Sequence, residues 1–122
     1  MSADMLYHLL SLRNLVKVYH WQTTSFARHK ASDDLTTKLD ALIDQFAEVY
    51  IGKYGRPTFS GRNAHLRLLN VSDKQAGMVI DEYVKFLQAI KLSEKDDTEL
   101  LNIRDEMLSE LQQTKYLFTL GK

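Results

Sequence analysis

The ten residues Gly52-Lys53-Tyr54-Gly55-Arg56-Pro57-Thr58-Phe59-Ser60-Gly61 hold the chain's single proline and three of its five glycines. In a helix interior glycine costs about 1 kcal/mol and proline about 3 kcal/mol relative to alanine, so this stretch divides the chain into two helix-forming halves. Toward the N-terminus, Leu35, Leu39, Leu42, Phe46 and Val49 recur at steps of three and four, as do Met5, Leu9, Leu12, Val16 and Tyr19. This is the period of one helical face and predicts helices over about 4–23 and 29–51. Toward the C-terminus, Ser72-Asp73-Lys74-Gln75 has capping-box spacing and precedes Ala76, Val79, Ile80, Tyr83, Leu87 and Ile90, which predicts a helix over about 73–91. After Ser93-Glu94-Lys95-Asp96, the residues Leu100, Ile103, Met107, Leu111 and Leu117 carry a fourth helix to Gly121, placed past its last turn.

The links then constrain the topology. Those near 24–28 and 92–95 are short enough to make their flanking helices antiparallel neighbours. The connection from Gly52 to Val71 is long enough to run the ~30 Å length of a 20-residue helix. The expected fold is therefore all-α, a ferritin-like four-helix bundle of two antiparallel hairpins joined by a long crossover, occupying residues 1–122 as one domain. Leu66, Leu68 and Leu69 predict a short helix in the crossover, over Ala64 to Asn70.

With 44% hydrophobic and 26% charged residues, the chain is rich enough in apolar side chains to form a core. It has no cysteine, which excludes disulfide frameworks, thiolate metal sites and cysteine nucleophiles. Sixteen basic and sixteen acidic residues cancel, so no field steers the chain to a polyanion, and no nucleic-acid partner is expected. Met1-Ser2-Ala3-Asp4-Met5 lacks a basic leader and no apolar run approaches the ~18 residues of a membrane span, giving a cytoplasmic expectation with no membrane partner.

The second helix carries the chemistry. At about 100° per residue with Leu35 at zero, its apolar stripe clusters near 0°, while His29, Asp33, Asp40, Asp44 and Glu48 fall between about 120° and 220°. Such a face is either a solvated acidic surface or a covered one, and Ile43, Ala47 and Ile51 interspersed on that side favour a cover. His29 with Asp33 and Asp44 with Glu48 are each four apart, so each pair can reach one ion from adjacent turns. The two pairs lie ~22 Å apart along the helix and cannot share an ion within one chain. A second copy packed antiparallel about a two-fold axis near residue 38 would bring Asp44 and Glu48 of one copy to His29 and Asp33 of the other. Asp40 lies near that axis. Imidazole with carboxylate suits iron, manganese or zinc better than calcium or magnesium. The Glu-x-x-His motif of sites inside a single bundle is absent.

These residues resemble those of the Dps-type mini-ferritins. The resemblance rests on His20-Trp21, His29-x3-Asp33 and Asp44-x3-Glu48, with Asp96-Asp97-Thr98 and Lys115-Tyr116-Leu117-Phe118 around the fourth helix. It implies that His20, His29 and Asp33 of one subunit and Asp44 and Glu48 of its two-fold partner bind iron, with zinc or manganese as substitutes. It further implies a homo-oligomer, from a two-fold dimer to a hollow dodecamer, which oxidises Fe(II) with peroxide or dioxygen for iron storage and protection from oxidative stress. The residues themselves leave two other readings open. One is a non-catalytic four-helix structural or interaction protein, and the other a small metal-dependent oxygenase or hydrolase. His8 and His65 are read as surface histidines, Arg62 and Arg67 as a small basic spot, and Met78, Met107 and the helical Tyr and Phe residues as core.

Overall fold

In the computed structural model, which describes residues 3–120, the chain forms four α-helices, and no strand occurs among those residues. These are α1 (Asp4–Gln22), α2 (Phe26–Tyr54), α3 (Asp73–Gln88) and α4 (Thr98–Leu117). The expected all-helical four-helix architecture is present. No described helix is long and apolar enough to cross a membrane.

Local chemistry sets the helix ends. Ser25 accepts a hydrogen bond from the Arg28 amide and starts α2 three residues earlier than the apolar period suggests, so only Thr23–Ser25 separate α1 from α2. α2 also runs through Gly52, whose missing side chain faces open space, and stops where Gly55 adopts φ +89°. The expected capping box at Ser72 and Gln75 is formed in both directions. The expected helix over 64–70 is replaced by a single 3-10 turn, Gly61–Ala64. Gly61 at φ +59° permits that turn, and His65 after it is extended. Leu66, Leu68 and Leu69 are exposed, so no burial holds them in a helix. Gly121 lies outside the described residues.

α2 packs against both α1 and α4, and α3 packs against α4 and α1. Leu9, Leu12, Leu35, Leu39, Phe46, Leu87, Leu100, Met107 and Leu111 fill the interior and are almost wholly removed from solvent. Ile43 is also buried, because α2 is wedged between two helices and buries a wider sector than a single stripe. Met78 is corrected from core to surface, as is Tyr116, and Phe26, Tyr54 and Phe59, outside the expected helices, are exposed as well.

Two polar clusters tie the helix termini. Arg28, in the first turn of α2, donates to the Tyr19 hydroxyl (2.9 Å), the Asp73 carbonyl (3.2 Å) and the Phe118 carbonyl (3.3 Å), and lies over the Phe118 ring. The ends of α1 and α4 and the starts of α2 and α3 thus converge on one guanidinium. Tyr19 and Thr23 also donate to the Asp73 carboxylate, which holds it below the usual carboxylate range. At the far end of α2, Tyr54 and Lys53 donate to Asp97, whose second oxygen accepts the Ser93 amide (2.9 Å). Asp97 does not cap α4 with its side chain; it fastens the α3–α4 link to α2.

Two outcomes follow from these clusters. Arg28→Ala removes the donor shared by two half-buried acceptors and one exposed one and should lower the unfolding free energy by roughly 1–3 kcal/mol in urea melts. The hydrogen bond from Tyr54, with that from the Ser93 amide and the Lys53 ammonium, depresses Asp97 to about 2. Its contribution to stability is therefore complete above the unfolded carboxylate value near ~4 and disappears as pH falls toward about 2. Asp97→Asn should flatten the loss of thermal stability between those two pH values, measured by circular dichroism.

Candidate functional site

The short Thr23–Ser25 turn folds the end of α1 back onto the start of α2 and places His20 against His29. The two imidazoles stack with centroids 3.9 Å apart and planes 21° from parallel. Each ring's Nδ1 hydrogen-bonds the backbone carbonyl of the other residue, at 2.9 Å for His20 and 2.8 Å for His29. A carbonyl oxygen only accepts, so both Nδ1 atoms carry the hydrogen, and in the neutral rings each Nε2 keeps its lone pair. That is the tautomer of a metal-ligating histidine whose other nitrogen is fixed by a carbonyl.

Asp33, one turn after His29, completes the group, with its Oδ1 3.8 Å from His20 Nε2. This is too long for a hydrogen bond. It is within the span of two ligands that each sit ~2.1 Å from one ion. Three of the five expected site residues, His20, His29 and Asp33, are therefore neighbours within one chain. His20 is 8% exposed and Asp33 is open to solvent.

Asp44 and Glu48 lie beyond reach on the same helix, both exposed. Among the described residues, no group of three or more His, Asp or Glu side chains is arranged to hold a metal ion within one chain. Asp44 instead lines a groove of about 850 Å³ between α1 and α2, with Leu6, Leu10, Ala47 and Ile51. Asp40, expected to meet its own copy, is neutralised by Arg13, whose Nε and Nη2 reach its two oxygens at 2.6 and 3.3 Å. Sequence reading missed this pair because its members are 27 residues apart on different helices. The reciprocal backbone bonds of the histidines were equally invisible, since they depend on the angle of the turn. His8 packs on Phe86, with ring centroids 5.0 Å apart.

Fold and site together define a small four-helix protein with a paired-histidine cluster at one end of its α1–α2 hairpin. The chain belongs to a family of unknown function (DUF5856), whose model matches residues 20–118. It is also similar to the uncharacterized 14.6 kDa protein in the mobD-ri intergenic region of Enterobacteria phage T4, at 51% identity over 37 residues. That match takes in 30% of this chain, and the chain spans 29% of the length of this curated relative. No solved structure matches.

The resemblance to the Dps-type mini-ferritins is corrected by the family result. Histidine and carboxylate pairs four apart arise on any polar helix face, because neighbouring turns place them together. Spacings of this kind, in a single chain, do not define descent.

The hydrogen-bond pattern has a direct check. Long-range proton–nitrogen correlation spectra of the neutral state should show both His20 and His29 as Nδ1–H tautomers. An Nε2–H pattern at either ring would mean that its bond to the backbone carbonyl does not form.

Proposed function

We propose that this protein binds iron at a dinuclear site between two-fold related copies, with His20, His29 and Asp33 from one and Asp44 and Glu48 from the other. The observation that carries this reading is the reciprocal Nδ1–H bonding of His20 and His29, which leaves both Nε2 lone pairs free, that of His20 beside Asp33. A lone pair facing a carboxylate is a repulsive arrangement that a cation between them relieves. The mixed nitrogen and oxygen donors suit ferrous iron, with zinc or manganese as substitutes.

Iron here is the substrate, oxidised by peroxide or dioxygen. Two ferrous ions would each give up one electron. Together the two electrons cleave the O–O bond of one peroxide, which takes up two protons and leaves two waters. With dioxygen the same two electrons and two protons give hydrogen peroxide. Asp33, Asp44 and Glu48 would stabilise the charge rising on iron. The proposed connectivity is ferritin-like, two antiparallel hairpins joined by the 55–72 link as a crossover. The meeting of the first turns of α2 and α3 with the ends of α1 and α4 at Arg28 supports it. A homo-oligomer is required, without nucleic acid.

The apolar groove beside Asp44 favours a second reading, a non-catalytic structural or interaction protein. Iron oxidation separates the two. Asp33→Ala and Glu48→Ala should each lose the peroxide-dependent absorbance rise on adding Fe(II). A mixture of the two, unfolded together and refolded, should regain part of it, because a heterodimer rebuilds one intact site while the other carries both lesions. Full oxidation by each variant alone would remove these residues from the site.

A further inference from the structure

Phe26 is the most exposed large apolar side chain among the described residues, at 76%, and Trp21 beside the histidine pair is 67% exposed. The Lys17 ammonium lies 5.8 Å from the Trp21 ring centroid, and Trp21 and Phe26 both remain largely open to solvent. At the other end of α2 lies the groove lined by Leu6, Leu10, Ile43, Ala47, Ile51 and Phe59. At about 100° per residue from Leu35, Phe26 falls near 180° and Ile51 near 160°, so knob and groove share the outer face of α2.

We propose that the groove receives Phe26, with Trp21 at its edge, from a second copy of this chain. Antiparallel pairing of α2 about an axis near residue 38 sets position 26 level with 50 and position 29 level with 47. Phe26 of each copy then meets Ile51 and Phe59 of the other. One patch is used twice, as an isologous contact requires. Lys30 suits this register, while Asp33, near 160° on the same face, is set level with position 43 of the other copy. Lys30, near 220° on α2, lies at the knob end, and Asp44 and Glu48 lie at the groove end. Pairing brings the cation to the carboxylates and leaves Asp40, already neutralised by Arg13, near the axis. The proposal takes its axis from the iron-site reading, but the contact itself needs no metal.

Sedimentation velocity of the full chain at ~10 μM in excess EDTA tests it. The expected species is a dimer, and Trp21, the only tryptophan, should report dilution into monomer by a red shift of its fluorescence. Phe26→Ser alters a solvent-exposed side chain and should weaken dimerisation at least tenfold. Ile51→Asp should do the same from the groove side, and Leu68→Ser, an exposed apolar residue outside the groove, should leave it unchanged. A dimer in EDTA that depends on Phe26, without iron oxidation, would uphold this contact and end the iron reading. A dimer that forms only on adding Fe(II), or one indifferent to Phe26→Ser, would overturn the contact. A monomer with and without Fe(II), whether or not the groove takes up another apolar partner, would overturn both.

Discussion

The guanidinium of Arg28 is the point on which the arrangement of the bundle depends. An arginine in the first turn of a helix is unfavourable by itself, because it adds positive charge to the positive end of the helix dipole. Here the cost is offset by the ends of three other helices. The Phe118 carbonyl comes from the negative end of α4, Tyr19 from the last turn of α1, and Asp73 from the start of α3. The Phe118 carbonyl would otherwise be unpaired at the C-terminal end of α4. Apolar packing along the core is non-directional, whereas this cluster accepts one mutual placement of the helix ends, so it fixes the register that the core leaves free.

That register in turn makes the histidine cluster. With Arg28 held, the next residue, His29, is directed at the end of α1, and the three-residue turn brings His20 within stacking distance. Each imidazole then finds the other's carbonyl because the last turn of α1 and the first turn of α2 present backbone oxygens to each other. The site is a by-product of a tight helical hairpin, assembled from positions nine residues apart. Its orientation is set by backbone and so varies little with the identity of surrounding side chains.

The parts legible in the sequence were those governed by period and composition. Leu9, Leu12, Leu35, Leu39, Met107 and Leu111 were placed in the core by spacing alone, since a helix buries what recurs on one face. The breakers at Gly55 and Pro57 ended α2 for the stated reason, and Ser72 with Gln75 formed its box. What escaped was tertiary. The turn at Gly61 in place of a helix, the exposure of Met78 and Phe26, and the Arg13–Asp40 pair depend on what lies opposite, which periodicity does not encode. His29 and Asp33 pair by their four-residue spacing, and His20 joins them only through a family resemblance that the DUF5856 membership corrects. The turn places His20 against His29.

The two halves of α2 are unlike in a way that a single chain leaves unused. Its first half presents Phe26, His29, Lys30 and Asp33, and its second presents Asp44, Glu48 and the groove. A solvated helix face usually intersperses the two charge signs and keeps large apolar side chains off its centre. An exposed aromatic ring at one end and an apolar concavity at the other would let this surface complement its own reverse. Under the proposed antiparallel pairing, every contact would count twice, so modest pairwise gains would accumulate into a specific interface. In that proposed pair, a metal ion at each end would reinforce the register that shape and charge would select.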